Sequence, residues 1–60
     1  MKIKIICNNY IYGKVKRQLK FYILEDKKID RYHHEIIFNV NNQNEINLIE
    51  KISTYKSIII

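Results

Sequence analysis

The first residues, Lys2-Ile3-Lys4-Ile5-Ile6-Cys7, alternate polar with apolar side chains and are rich in β-branched ones. That period of two predicts a strand with Ile3, Ile5 and Cys7 facing inward. Asn8-Asn9 is the natural break after it. Gly13, the only glycine, marks the next boundary and is a candidate for a positive-φ position. Residues 14–24 support two readings. With period two, Val15, Leu19, Phe21 and Ile23 share one side against Lys14, Lys16, Gln18 and Lys20, with Arg17 as the violation. With a helical period, Val15, Leu19, Tyr22 and Ile23 fall within an arc of about 100°, while Lys16, Arg17 and Lys20 gather opposite. Either way the lysines share a surface.

Glu25-Asp26-Lys27-Lys28 predicts a charged turn or helix end. From Tyr32 to Val40 the period returns to two, predicting a strand with Tyr32, His34, Ile36, Phe38 and Val40 inward. A helix start follows, with Asn41 or Asn42 as N-cap and Glu45 as a capping-box acid. Ile46, Ile49 and Ile52, joined by Leu48, form its buried stripe, and the helix ends near Thr54. Ser57-Ile58-Ile59-Ile60 predicts a last strand. The pattern describes one α+β domain over residues 1–60: a small three-stranded antiparallel sheet with one or two helices on one face. If residues 14–24 are helical the arrangement is a ferredoxin-like βαβαβ; if they are a strand it is a β-meander with a C-terminal helix.

Size and composition change this picture in two ways. A domain of 60 residues buries only about 60% of its unfolded surface, so a larger partner is the expected source of extra stability. Cys7 is the only cysteine, which excludes an internal disulfide and a thiol-rich metal site; it is expected to act as a small buried hydrophobe. No apolar run approaches the roughly 20 residues of a membrane span, and Lys2 and Lys4 interrupt any secretory h-region. There are fourteen isoleucines and no alanine or proline, and Ile, Lys, Asn and Tyr make up more than half of the chain. That usage indicates a very AT-rich genome. The expected setting is a mitochondrion or other organelle encoding the gene, or alternatively the cytoplasm of a bacterium or phage-infected host.

Charge is more specific than composition. Residues 1–31 carry nine Lys and Arg against three carboxylates, a net +6, whereas residues 32–60 carry two Lys against three, a net −1. AT bias supplies lysine everywhere and does not explain the segregation. A basic half on a small protein is the footprint of a polyanion, most often nucleic acid. Lys14, Lys16, Arg17, Lys20, Lys27, Lys28 and Arg31 are the candidate phosphate contacts, and Tyr12 is the candidate aromatic among them. Tyr10, Tyr22 and Tyr32 are also interleaved with the charges.

Catalytic readings fall away. His33 and His34, adjacent on a strand, point to opposite faces and do not chelate one metal. Glu25-Asp26 has no partner at acid–base spacing, Cys7 has no base nearby, and a single glycine makes no phosphate-cradling loop. No enzyme activity, metal, cofactor or small-molecule substrate is expected.

Several of these segments together resemble the large-subunit ribosomal protein L-thirty family of bacterial and organellar type. Lys2-Ile3-Lys4-Ile5 is similar to its opening strand, Gly13 to the glycine after its first loop, and Lys14 to Leu24 to its basic helix. Lys27-Lys28-Ile29 is a candidate for its paired-basic segment. Leu48-Ile49-Glu50-Lys51-Ile52-Ser53, running on to Ile58-Ile59-Ile60, looks like its second helix and closing strand. The family's Asp-Thr-Pro helix start is present only as Asn41-Asn42-Gln43, and its helix glycine is absent around Asn47. The resemblance implies a three-stranded sheet with two helices on one face. It also implies binding to ribosomal RNA, beside neighbouring ribosomal proteins, through the first helix and adjacent loop. The alternative expectation is a small phage- or virus-encoded inhibitor of a host nucleic-acid-binding complex.

Overall fold

A computed structural model describes all residues from Met1 to Ile60. The elements in chain order are β1 (Lys2–Asn8), α1 (Asn9–Gln18), a 3-10 turn (Lys20–Tyr22), β2 (Ile23–Lys28), β3 (His33–Asn39), α2 (Gln43–Ser53) and β4 (Ile58–Ile59). The strands form one sheet in the order β2-β3-β1-β4, and every neighbouring pair is antiparallel. It follows that β1 runs parallel to β2 with β3 between them, and β3 parallel to β4 with β1 between them. Each helix therefore bridges two strands across a third, in two interleaved halves, which is the ferredoxin-like βαββαβ layout.

The α+β class and the ferredoxin-like path follow the sequence expectation, but the sheet has four strands rather than three. The additional strand is β2, formed by the residues expected to make a charged turn. Its side chains are mostly exposed because it lies at the sheet edge, and its ladder bonds to β3 do not depend on hydrophobicity. Charged side chains along such an edge also discourage pairing with other chains. Residues 14–24, open between helix and strand, divide among three states. The helix runs to Gln18, Lys20–Tyr22 tightens into the 3-10 turn, and Ile23 begins β2 with a register shift between Ile23 and Glu25. The meander alternative is excluded by α1.

Gly13 is also placed differently from expectation. It lies inside α1 with a negative φ, and the one positive-φ residue is Thr54 at the end of α2, at 65°. The start of α1 is fixed instead by Asn8, whose side chain accepts from the Ile11 N–H at 2.9 Å. For α2 the N-cap is Asn42, accepting from Glu45 N–H at 3.1 Å, while Glu45 Oε1 accepts from Asn41 N–H at 2.7 Å. This is a capping box displaced by one residue on the return bond.

The core consists of Ile3, Ile5 and Cys7 from β1, Val15 and Leu19 from α1 and the residue after it, Ile36, Phe38 and Val40 from β3 and its end, and Ile46 and Ile49 from α2. The contributing positions of β1 and β3 share one parity and pair directly, Ile3 with Phe38 and Ile5 with Ile36. Both helices therefore cover the same sheet face. Tyr32 and His34 were expected to share this inward face. Tyr32 precedes the strand and is exposed, and His34 reaches only the rim of the core. Ile52 is half-buried and Leu48 lies outside the stripe, with Ser53 completing the buried side of α2. No helix is long and apolar enough to cross a membrane.

Candidate nucleic-acid interface

Alpha-helical spacing sorts the basic residues of α1. With Val15 buried against the sheet, Lys16 lies on the flank toward β2, Arg17 points away from the core, and Lys14 lies on the opposite flank. Lys20, in the following turn, returns to the side of Lys16. The result is an open concavity lined by Gly13, Lys16, Arg17, Lys20 and Ile23. Gly13 contributes bare helix backbone there: a Cβ added at this position meets nothing within 4 Å. Basic residues in the last turn of α1 also oppose the negative end of the helix dipole, so the fold tolerates their concentration.

The other candidates are dispersed around the same edge. Lys27 and Lys28, adjacent on β2, point to opposite faces: Lys27 sits opposite Glu35 on the uncovered face, and Lys28 opposite His34 on the helix side. Arg31 lies in the β2–β3 loop, which is tied to the start of α1 by two bonds. Asn9 N–H donates to Tyr32 O at 2.9 Å, and Asn9 Nδ2 donates to Arg31 O at 2.9 Å. The structure thus brings Lys16, Arg17 and Lys20 together, adds Lys28 and Arg31 along the α1–β2 rim, and leaves Lys14 and Lys27 to separate surfaces. Of the eleven Lys and Arg, only Lys16 has a carboxylate within 4.0 Å.

That single ion pair belongs to a cluster between α1 and the sheet. Asp26 accepts from the Tyr12 hydroxyl at 2.5 Å and from Lys16 Nζ at 3.3 Å through Oδ2, and its Oδ1 lies 3.3 Å from His34 Nδ1. The Tyr12 and His34 rings stack with centroids 3.6 Å apart and planes 10° from parallel, and Lys16 Nζ lies 5.8 Å from the Tyr12 centroid. Tyr12 therefore fastens the helix to β2 and β3, and its ring is already stacked. This displaces it from the role of a free stacking face. The hydroxyl bond to Asp26 raises the Tyr12 pKa, and the same carboxylate raises that of Lys16. Burial disfavours charge on Asp26, but the bonds from Tyr12, Lys16 and His34 outweigh it and hold the carboxyl below its ordinary range.

A depressed folded-state pKa means that the Asp26 contribution is present above the unfolded carboxyl pKa and lost as pH falls through the folded value. Asp30, held by the Tyr32 N–H and His33, and Glu50, held by the Ser57 N–H and hydroxyl, are shifted the same way. Stability should therefore fall on acidification below about pH 4. Asp26→Asn is expected to cost about 1 kcal/mol at pH 7, since much of the charge-assisted value is screened at a rim site. It should also flatten the acid limb, as read by urea unfolding at pH 7 and pH 3. An unchanged acid limb would show that the cluster carries no charge-dependent stability.

The remaining chemistry is sparse. Cys7 is fully buried, and burial followed by the charge of Asp26 pushes its thiol pKa up, the opposite of an activated nucleophile. His33 and His34 face opposite sides of β3, and no group of three His, Cys, Asp or Glu is arranged to hold a metal. Sequence reasoning missed Asp26 as the organiser of Tyr12, Lys16 and His34. Those partners lie 14, 10 and 8 residues away, and only the α1–β2 packing joins them. It also missed Phe21, which is 99% exposed and directly follows Lys20 of the basic concavity.

No protein-family model, no curated protein and no solved structure matches the chain.

Proposed function

We propose that the protein binds RNA without catalysis, as a structural component of a ribonucleoprotein, with ribosomal RNA and neighbouring ribosomal proteins as its partners. The observation that carries this reading is the convergence of Lys16, Arg17 and Lys20 on an open concavity lined by Gly13, where Arg17 and Lys20 have no carboxylate within 4.0 Å and only Lys16 is shared with one, Asp26. Cations not consumed within the fold are free to neutralise phosphates, each contact adding salt-sensitive affinity. The fourth strand is not part of the three-stranded arrangement that the ribosomal resemblance implies, so the reading rests on this surface first. The organellar setting belongs to the same proposal and is supported by the AT-rich composition.

Gly13 provides the test. Gly13→Ala removes the helix penalty of glycine without a clash, and is expected to stabilise the fold by about 0.5–1 kcal/mol while leaving RNA affinity within about twofold. Gly13→Glu retains the helix gain but places a carboxylate one turn from Lys16 and Arg17, where it competes with phosphate. Binding of a labelled RNA, followed by anisotropy at about 0.1 M salt, should weaken roughly tenfold for Gly13→Glu alone, in keeping with surface charge pairs screened over about 10 Å. Equal affinity for both variants would sink the proposal.

A further inference from the structure

Phe21 is the most exposed large hydrophobic residue of the molecule, at 99%, and it has no hydroxyl to justify that exposure. Its neighbours in the 3-10 turn behave otherwise: Leu19 is fully buried and Tyr22 packs against the core. The turn is held by the Tyr22 N–H bonding to Leu19 O at 3.0 Å, so these inward residues fix the segment and leave Phe21 facing solvent. On either side of Phe21 in the chain, Lys20 and Ile23 line the basic concavity. Phe21 does not line that space itself, but it directly follows Lys20, one of the three cations that do.

Other surfaces carry less. The uncovered sheet face presents Lys2, Lys4, Ile6, Glu35, Ile37 and Lys27, and its one aromatic ring, His33, is held by Asp30 at 3.0 Å. Tyr12 is stacked on His34. Tyr10 is exposed and, like Phe21, does not line the concavity; it stands one helical turn before Gly13 and is less exposed than Phe21, which directly follows Lys20.

We infer that Phe21 is a stacking site for an unpaired base of the RNA whose phosphate occupies the Lys16, Arg17 and Lys20 concavity. The inference rests on the RNA reading above and narrows its ligand to strands, loops or bulges rather than continuous duplex. Every base offers a π-face, and in an intact helix that face is covered by its neighbours, so an exposed phenyl ring next to phosphate-binding cations selects unpaired nucleotides. Phenylalanine supplies the ring without a polar handle, which makes the site tolerant of base identity.

The experiment compares a short single-stranded RNA with a blunt duplex of equal phosphate number, using the wild-type protein, Phe21→Ala and Phe21→Trp. Phe21→Ala should weaken single-strand binding by about 5- to 150-fold, the range for loss of one base–aromatic stack, and leave duplex binding and the salt slope unchanged. Because Phe21 is fully exposed, the variant should unfold at the same urea concentration as wild type, which separates a lost stack from a lost fold. Phe21→Trp should restore the affinity. As the only tryptophan in the chain, it should also be quenched on saturation with the single strand and not with the duplex. Wild-type affinity in Phe21→Ala, or unquenched emission in Phe21→Trp at saturation, overturns the stacking site while leaving the phosphate contacts standing. If wild type binds neither RNA, the RNA reading itself falls, and the stacking site with it.

Discussion

Phe38→Ala is expected to remove most or all of the stability of this protein. Phe38 is fully buried near the end of β3, paired with Ile3 on one side and Ile23 on the other. Truncating a buried phenylalanine costs about 3–5 kcal/mol, the lost transfer energy plus the cavity left behind. At roughly 0.05–0.15 kcal/mol per residue, a domain of this size has only about 3–9 kcal/mol in total. Urea unfolding followed by far-ultraviolet circular dichroism should show a midpoint shifted to very low denaturant, or no folded baseline. Phe21→Ala, the same chemical change at an exposed position, should leave the midpoint in place. A Phe38→Ala protein as stable as wild type would mean that the core is not organised around β3.

The largest effect on binding is expected from replacing Lys16, Arg17 and Lys20 together with alanine. Three phosphate contacts on a single strand contribute about 0.7 each to the slope of log affinity against log salt, so that slope should become shallower by about 2. Affinity should fall most at low salt, where counterion release contributes most. Replacing Lys51 and Lys56, from the part of the chain with no net positive charge, removes nearly as much charge from a different surface and should leave the slope almost unchanged. Equal slopes for the two sets of variants would reduce the RNA contact to a general attraction by net charge. Lys14 belongs with the controls, since the helix places it on the flank away from the concavity.

Much of the fold could be read from residue patterns, and the reasons differ by element. β1 and β3 lie in the centre of the sheet with one face covered and one open, so their alternation is clean. Of the set expected to face inward, Ile3, Ile5, Cys7, Ile36, Phe38 and Val40 are buried, and Tyr32 and His34, at the open start of β3, are not. The second helix was legible because Asn42 and Glu45 cap it in a recognisable way and Ile46 and Ile49 keep a helical period. By contrast, β2 was hidden because an edge strand with charged side chains has no hydrophobic alternation to reveal it. Gly13 misled for a related reason: glycine in a helix is disfavoured by propensity, but packing of Val15 and Leu19 decides the conformation. The basic surface was legible as composition. Its division into a three-cation concavity, a fastened Tyr12 and two outlying lysines depends on which way each element faces, and no local signal carries that.

The position of β1 has a consequence for how the molecule comes together. It is the only strand paired on one side with β3 and on the other with β4, and those partners lie some 30 and 55 positions further along the chain. The first strand thus has no local hairpin to hold it, and its hydrogen-bonding groups stay in water until distant segments arrive. Loop-closure entropy must be overcome before any of those bonds form, which places this small chain among the slower folders for its length. The segment β2–β3, joined by a short turn with Ile29 N–H bonding to His33 O, is the pair that can form early. Insertion of β1 beside it is then the step that commits the chain, and Met1, bonded through its backbone to Val40, is drawn into place with it.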